Sequence, residues 1–153
     1  MKLRVLAVGR RQPQWVEEAV LEYSKRMPKR SPIELVPVRP AGHGNQAQVR
    51  DAEADRLLGM LGTDDLVVAL DETGKQWDTR VLANELAGWH ADGSRVAFLI
   101  GGAEGLAQRV RDRAQHIWGL SKLTLPHGLA RVVVVEQLYR AWSLVNNHPY
   151  HRG

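Results

Sequence analysis

Short apolar runs alternate with stretches of helical periodicity along the whole chain, and this pattern predicts an α/β domain with a mostly parallel sheet flanked by helices. Two further observations narrow the class. At 153 residues the chain is long enough for one sizeable core and short for two, so residues 1–153 are expected to form a single domain. It contains no cysteine, which excludes a disulfide framework and thiolate nucleophiles or metal ligands.

The first apolar run, residues 2–8, reads as a strand. It is too short for a signal core or a membrane span, so a cytoplasmic protein is expected. Residues 13–27 follow as a helix with Val16, Ala19, Val20, Tyr23 and Met27 on one face. Residues 33–38 form a second strand and residues 47–61 a second helix. Residues 66–70 form a third strand, and Asp78 or Thr79 caps a helix carrying Val81, Leu82, Leu86 and Trp89. Residues 95–100 form a fourth strand, 107–115 a short helix and 117–121 a fifth strand. Residues 129–147 contain four consecutive valines, which favour a strand by propensity. Val132, Val135, Leu138, Tyr139, Trp142 and Val145 nevertheless keep a helical period over a length beyond an ordinary strand, so a helix is predicted. On it Glu136 is expected to pair with Arg140 or Arg131. The apolar residues Val134, Leu138, Tyr139, Trp142 and Val145 cover more of its circumference than one sheet contact needs, which suits either a dimer interface or a deeply buried helix.

In parallel sheets ligands bind beyond the carboxyl ends of the strands, and three loops meet that condition. "LIGGAEGL" (99–106) sets paired glycines directly after a strand. Such glycines let backbone approach a ligand, or simply make a tight turn. The spacing fits neither a P-loop nor a dinucleotide fingerprint. "ALDETGKQWDT" (69–79) carries Asp71 and Glu72, read as solvated loop charges ahead of catalytic ones. "LSKLTLPHG" (120–128) is Leu-rich and nearly uncharged: either an apolar wall suited to a flat heteroaromatic ligand or a short buried strand. The six histidines show no HExxH or comparable spacing, so no metal is expected. Lys and Arg outnumber Asp and Glu by 21 to 17, an excess compatible with a nucleic-acid partner without requiring one.

Three segments, "LIGGAEGL", "LSKLTLPHGLARVVVVEQLYRAWS" and the closing "NHPYHR", resemble the ribosomal RNA large subunit methyltransferase H family of the SPOUT class. The resemblance runs from "MKLRVLAVGR" through "DETGKQWDT" to the tail, and departs from many relatives at Ala103, where they have proline. It implies a C-terminal part threaded into a trefoil knot, S-adenosyl-L-methionine as cofactor, and a homodimer. The implied reaction is methylation of N3 on a pseudouridine of 23S ribosomal RNA, with the assembled ribosome as substrate. Carried over by position, the cofactor site falls at Leu70, Gly102, Leu120, Ser121, Lys122, Leu123, Thr124 and Leu125. These residues lie on the three loops that the sheet rule had already marked.

On that reading the tail has a use. Arg152 offers a permanent charge for an imide anion as it forms, His151 a proton acceptor near neutral pH, and Tyr150 a surface for stacking on the target base. The simpler reading is that the tail packs back on the protein. Arg10, Arg11, Lys25, Arg26, Lys29 and Arg30 form a basic group suited to an RNA backbone or to solvent. The competing functions are another SPOUT methylation and a non-catalytic ribosome-binding factor of the same fold.

Overall fold

A computed structural model describes residues 1–152. Five strands, β1 (Leu3–Val8), β2 (Ile33–Val38), β3 (Leu66–Gln76), β4 (Val96–Ile100) and β5 (His116–Gly119), alternate with five helices. The helices are α1 (Gln14–Ser24), α2 (Gln46–Gly59), α3 (Thr79–Ala91), α4 (Gln108–Arg113) and α5 (His127–Val145). A 3₁₀ turn, Pro149–Arg152, closes the described chain.

The strands form one sheet in the order β2-β1-β4-β3-β5, and every pairing is parallel. Alternation along each strand divides the core in two. Leu3, Val5, Ala7, Val68, Val96, Phe98 and Ile100 face α3 and α5, whereas Leu6, Val8, Val67, Ala69, Ala97 and Leu99 face α2 and α4. The central strands are buried on both faces, which is why they read as unbroken apolar runs.

Helix starts follow local chemistry. Asn45 and Gln48 form a reciprocal capping box at α2, and the Asp78 carboxylate accepts from the Val81 N–H at 2.8 Å to cap α3. α1 and α5 begin after Pro13 and Pro126 with no side-chain cap. α5 ends where Asn147 takes a left-handed conformation (φ 53°) and the His148 N–H reaches back to the Ser143 carbonyl at 2.8 Å.

Two expectations are corrected. β3 does not stop at residue 70: after an irregularity it pairs Lys75 with Trp118 and Gln76 with Gly119. Gly74 allows this, because a Cβ there would lie 2.7 Å from both the Gly119 nitrogen and the Trp118 carbonyl carbon. Residues 120–126, between β5 and α5, are irregular and form no strand. α5 is the buried helix of the two possibilities weighed above. It packs against both α1 and α3, with Val134, Val135, Leu138 and Ala141 fully inside. The exposed large apolar side chains of this side are instead Trp15 and Leu21 of α1, at 56% and 63%, Val81 of α3 and Val145. No helix among the described residues is long and apolar enough to cross a membrane.

Candidate active site

A cavity of about 1030 Å³ opens at the carboxyl ends of β3, β4 and β5. Its floor is the Gly101–Leu106 turn, one wall is the end of β3 from Leu70 to Thr73, and the opposite wall is the 120–125 loop with the first turn of α5. The turn is tight enough to need its glycines. A Cβ on Gly101 would meet Gly105 backbone at 2.8 Å, and Gly105 itself has φ 77°. Beneath it the buried Glu53 accepts from the Ala41 N–H at 3.0 Å through Oε2, leaving Oε1 without a partner.

Arg111 joins floor to wall. Its Nη1 donates to the Leu106 carbonyl at 2.8 Å and to Asp71 Oδ2 at 3.2 Å. Asp71 also accepts from the Thr73 N–H at 2.9 Å and from its hydroxyl at 2.6 Å. Burial pushes the Asp71 carboxyl up, but the Thr73 hydrogen bonds and the Arg111 guanidinium outweigh it and hold the group below its ordinary value. Asp71 is therefore a paired structural carboxylate in the cavity wall and not the solvated charge the loop suggested, whereas Glu72 is exposed.

The structure gathers seven of the eight expected cofactor positions around this cavity: Leu70, Gly102, Leu120, Ser121, Leu123, Thr124 and Leu125. Lys122 is exposed and is not among the lining residues. Sequence reasoning missed Thr73, Arg111, Trp118 and His127, all of which line the cavity. His127 had a signal: it opens a long helix directly after a strand-end loop. The wall combines apolar side chains with the Ser121 and Thr124 hydroxyls, and among the described residues the buried Trp118 Nε1 has no partner. Among the described residues no cluster suits a metal ion.

The tail lies elsewhere. Tyr150 packs on Tyr139 (ring centroids 4.6 Å apart) and Tyr23 (6.4 Å), beneath the Arg140 guanidinium at 4.8 Å. Its hydroxyl donates to Glu136 Oε2 at 2.8 Å. Glu136 accepts from Arg140 as well, at 3.0 Å, so the expected pairing holds with Arg140 and not with Arg131. Burial and the Glu136 carboxylate push the Tyr150 phenol well above its ordinary value, so it stays protonated. His151 is half-buried and Arg152 exposed. Glu136 stands six residues past Ala130, the last α5 residue at the cavity, which is ~9 Å of helix rise. Tyr150, His151 and Arg152 do not line the cavity of their own chain.

The chain matches, over residues 1–151, the family model described as "Predicted SPOUT methyltransferase". It belongs to the ribosomal RNA large subunit methyltransferase H family. The protein of that name from Methylobacillus flagellatus is 48% identical over 99% of both chains, and the one from Cupriavidus metallidurans 49% identical over the full length of both. In fold, the chain is similar to a probable methylase family protein of Haemophilus influenzae Rd KW20, with a TM-score of 0.60 at 15% identity, covering 97% of this chain and 69% of that one. The family membership makes the chain a methyltransferase, an enzyme that uses a methyl donor.

Proposed function

We propose that this methyltransferase binds S-adenosyl-L-methionine in the strand-end cavity and methylates N3 of a pseudouridine in 23S ribosomal RNA, acting in the cytoplasm on the assembled ribosome. The observation that carries the reading is the convergence of the glycine turn and the 120–125 loop on one cavity, in a chain that matches relatives named for ribosomal RNA methylation from end to end. The residues fit the donor. Leu70, Ile100 and Leu125 offer apolar faces for a flat base, the side-chain-free Gly101 and Gly102 allow close approach, and Ser121 and Thr124 offer hydroxyls. When bound, the donor supplies a methyl group already activated by its sulfonium charge. The protein's own work is to align the acceptor nitrogen and to assist loss of its proton.

Arg152, His151 and Tyr150 remain the groups assigned to that work, with the roles of anion stabiliser, proton acceptor and stacking surface. Because the tail docks along its own α5, away from its own cavity, this assignment requires the tail of a second protomer. The exposed Trp15, Leu21 and Val145 supply unpartnered apolar surface for a homodimer.

The test is a calorimetric titration with S-adenosylmethionine followed by labelled methyl transfer onto purified ribosomes, with the modified nucleotide located by mass spectrometry. Arg152→Ala should bind the donor normally and lose most turnover. Mixing Arg152→Ala with a donor-binding-deficient chain should restore part of it, because each mixed dimer keeps one complete site. A variant turnover equal to the parent's would refute the role of the tail.

A further inference from the structure

Arg131 is only 3% exposed, yet among the described residues no carboxylate hydrogen-bonds to it. It sits one turn after His127 in α5, where a cation is disfavoured by the positive end of the helix. Its Nε donates to His127 Nε2 at 2.8 Å, and its Nη2 is buried without a partner against Gly9, where a Cβ would lie 2.6 Å from Nη2 and 3.2 Å from His127 Nε2. Burial lowers the affinity of this guanidinium for its proton, and only the more distant charge of Glu17 opposes that. A methionine would fill the same space without burying a charge, so the arginine is retained at a cost that packing alone does not recover.

The hydrogen bond specifies what the charge does. The guanidinium Nε is always a donor, so His127 Nε2 must be the acceptor and the ring proton must sit on Nδ1. His127 lines the cavity together with Gly101, whose backbone also acts on the ring. Arg131 thus reaches the cavity wall through His127. A protonated His127 would place N–H against N–H and one cation against another, and could not stay in line.

We propose that Arg131 is a positioning residue for the methyl donor: it holds His127 as the neutral, Nε2-accepting tautomer, which fixes the Gly101–Leu106 turn, so donor affinity falls when His127 takes up a proton. The inference rests on the reading that this cavity holds S-adenosylmethionine. It also removes His127 Nε2 from consideration as a general base, since Arg131 occupies that nitrogen. The charged groups around His127 are Arg131 on its own helix, Glu17 of α1 acting on Arg131, and Arg50, Asp71, Glu72, Glu104 and Arg111 across the cavity. Asp71 and Arg111 are paired with each other. Burial first, and the Arg131 charge second, hold His127 below its ordinary 6.5, against the Gly101 bond.

The experiment is donor affinity by calorimetry on the intact protein from pH 8 down through the His127 midpoint, with that midpoint and the tautomer read by ¹⁵N NMR. The parent should show a flat affinity near neutrality, then weakening that approaches tenfold per pH unit below the His127 midpoint. His127→Gln keeps one donor and one acceptor without a titrating proton; whatever its affinity at pH 8, it should lose the acid limb. Arg131→Met should move the His127 midpoint up towards 6.5 and mix the tautomers. A parent whose donor affinity is unchanged across the His127 midpoint read by NMR, an Nε2-protonated tautomer, or an acid limb that survives in His127→Gln would each overturn the proposal. If Arg131→Met does not fold, the first two proteins still decide. Absence of binding by the folded parent at every pH would instead overturn the donor reading itself.

Discussion

Replacing Gly74 by alanine adds one methyl group where two strands touch through bare backbone. The new Cβ would stand 2.7 Å from the Gly119 nitrogen, 2.7 Å from the Trp118 carbonyl carbon and 2.8 Å from the Ile117 carbonyl carbon. No flexible side chain can yield there; β5 must move away from the second half of β3. Overpacking of this kind costs about 1–3 kcal/mol, and backbone on the opposing side places Gly74→Ala at the upper end. For a chain of this size that is a fall in Tm of roughly 6–12 °C. Because β5 leads directly into Leu120–Leu125, the same displacement shifts one wall of the cavity and should weaken S-adenosylmethionine binding by more than tenfold at a temperature where the variant is fully folded. Thermal unfolding and calorimetric titration measure the two effects. A variant with the parent's Tm and affinity would refute the claim that β3 and β5 are held together by glycine contact.

Three further outcomes are expected. Gly88→Ala, in mid-α3 with nothing within 4 Å of the added Cβ, should stabilise the protein by about 0.5–1 kcal/mol in denaturant unfolding by removing a helix-weakening glycine. Tyr150→Phe removes the 2.8 Å hydrogen bond to Glu136, which keeps Arg140 as a partner; a loss of about 1–1.5 kcal/mol and faster proteolysis after residue 146 should follow. Stability should also decline in acid through His127: its folded value lies below the 6.5 of the free group, so on acidification the unfolded chain binds the proton first. That contribution is complete above about pH 6.5 and is lost as pH falls through the folded value; unfolding curves of His127→Gln should lack it.

β1 and β4 were legible to within a residue because a strand covered on both faces needs an unbroken apolar run, and little else in a soluble chain produces one; the edge strand β2 was legible from its β-branched and apolar content despite the exposed Glu34 and Pro37. The cavity lies where parallel sheets bind ligands, at the carboxyl side of the strands. The second half of β3 was not legible: "DETGKQ" is polar, and its pairing depends on a glycine meeting a glycine 45 residues away. Asp71 looked solvated because nothing local announces Arg111. Arg131 was legible in part, since it occupies the same stripe as Val134, Val135 and Leu138, a position at which a charge should have been questioned. The docking of Tyr150 on Glu136 was hidden because it depends on a left-handed Asn147 that turns the chain back on itself.

The cavity also has a direction in time. Apart from Arg50, its lining runs from Leu70 to Ala130, and β5, the last strand of the chain, lays its backbone beside β3. A nascent chain leaves the ribosome amino end first, so a partly synthesised copy carries β1, β2 and their helices before most of the cavity's lining exists. On the proposed reading of that cavity, the donor site is completed only when the last strand and helix have been made.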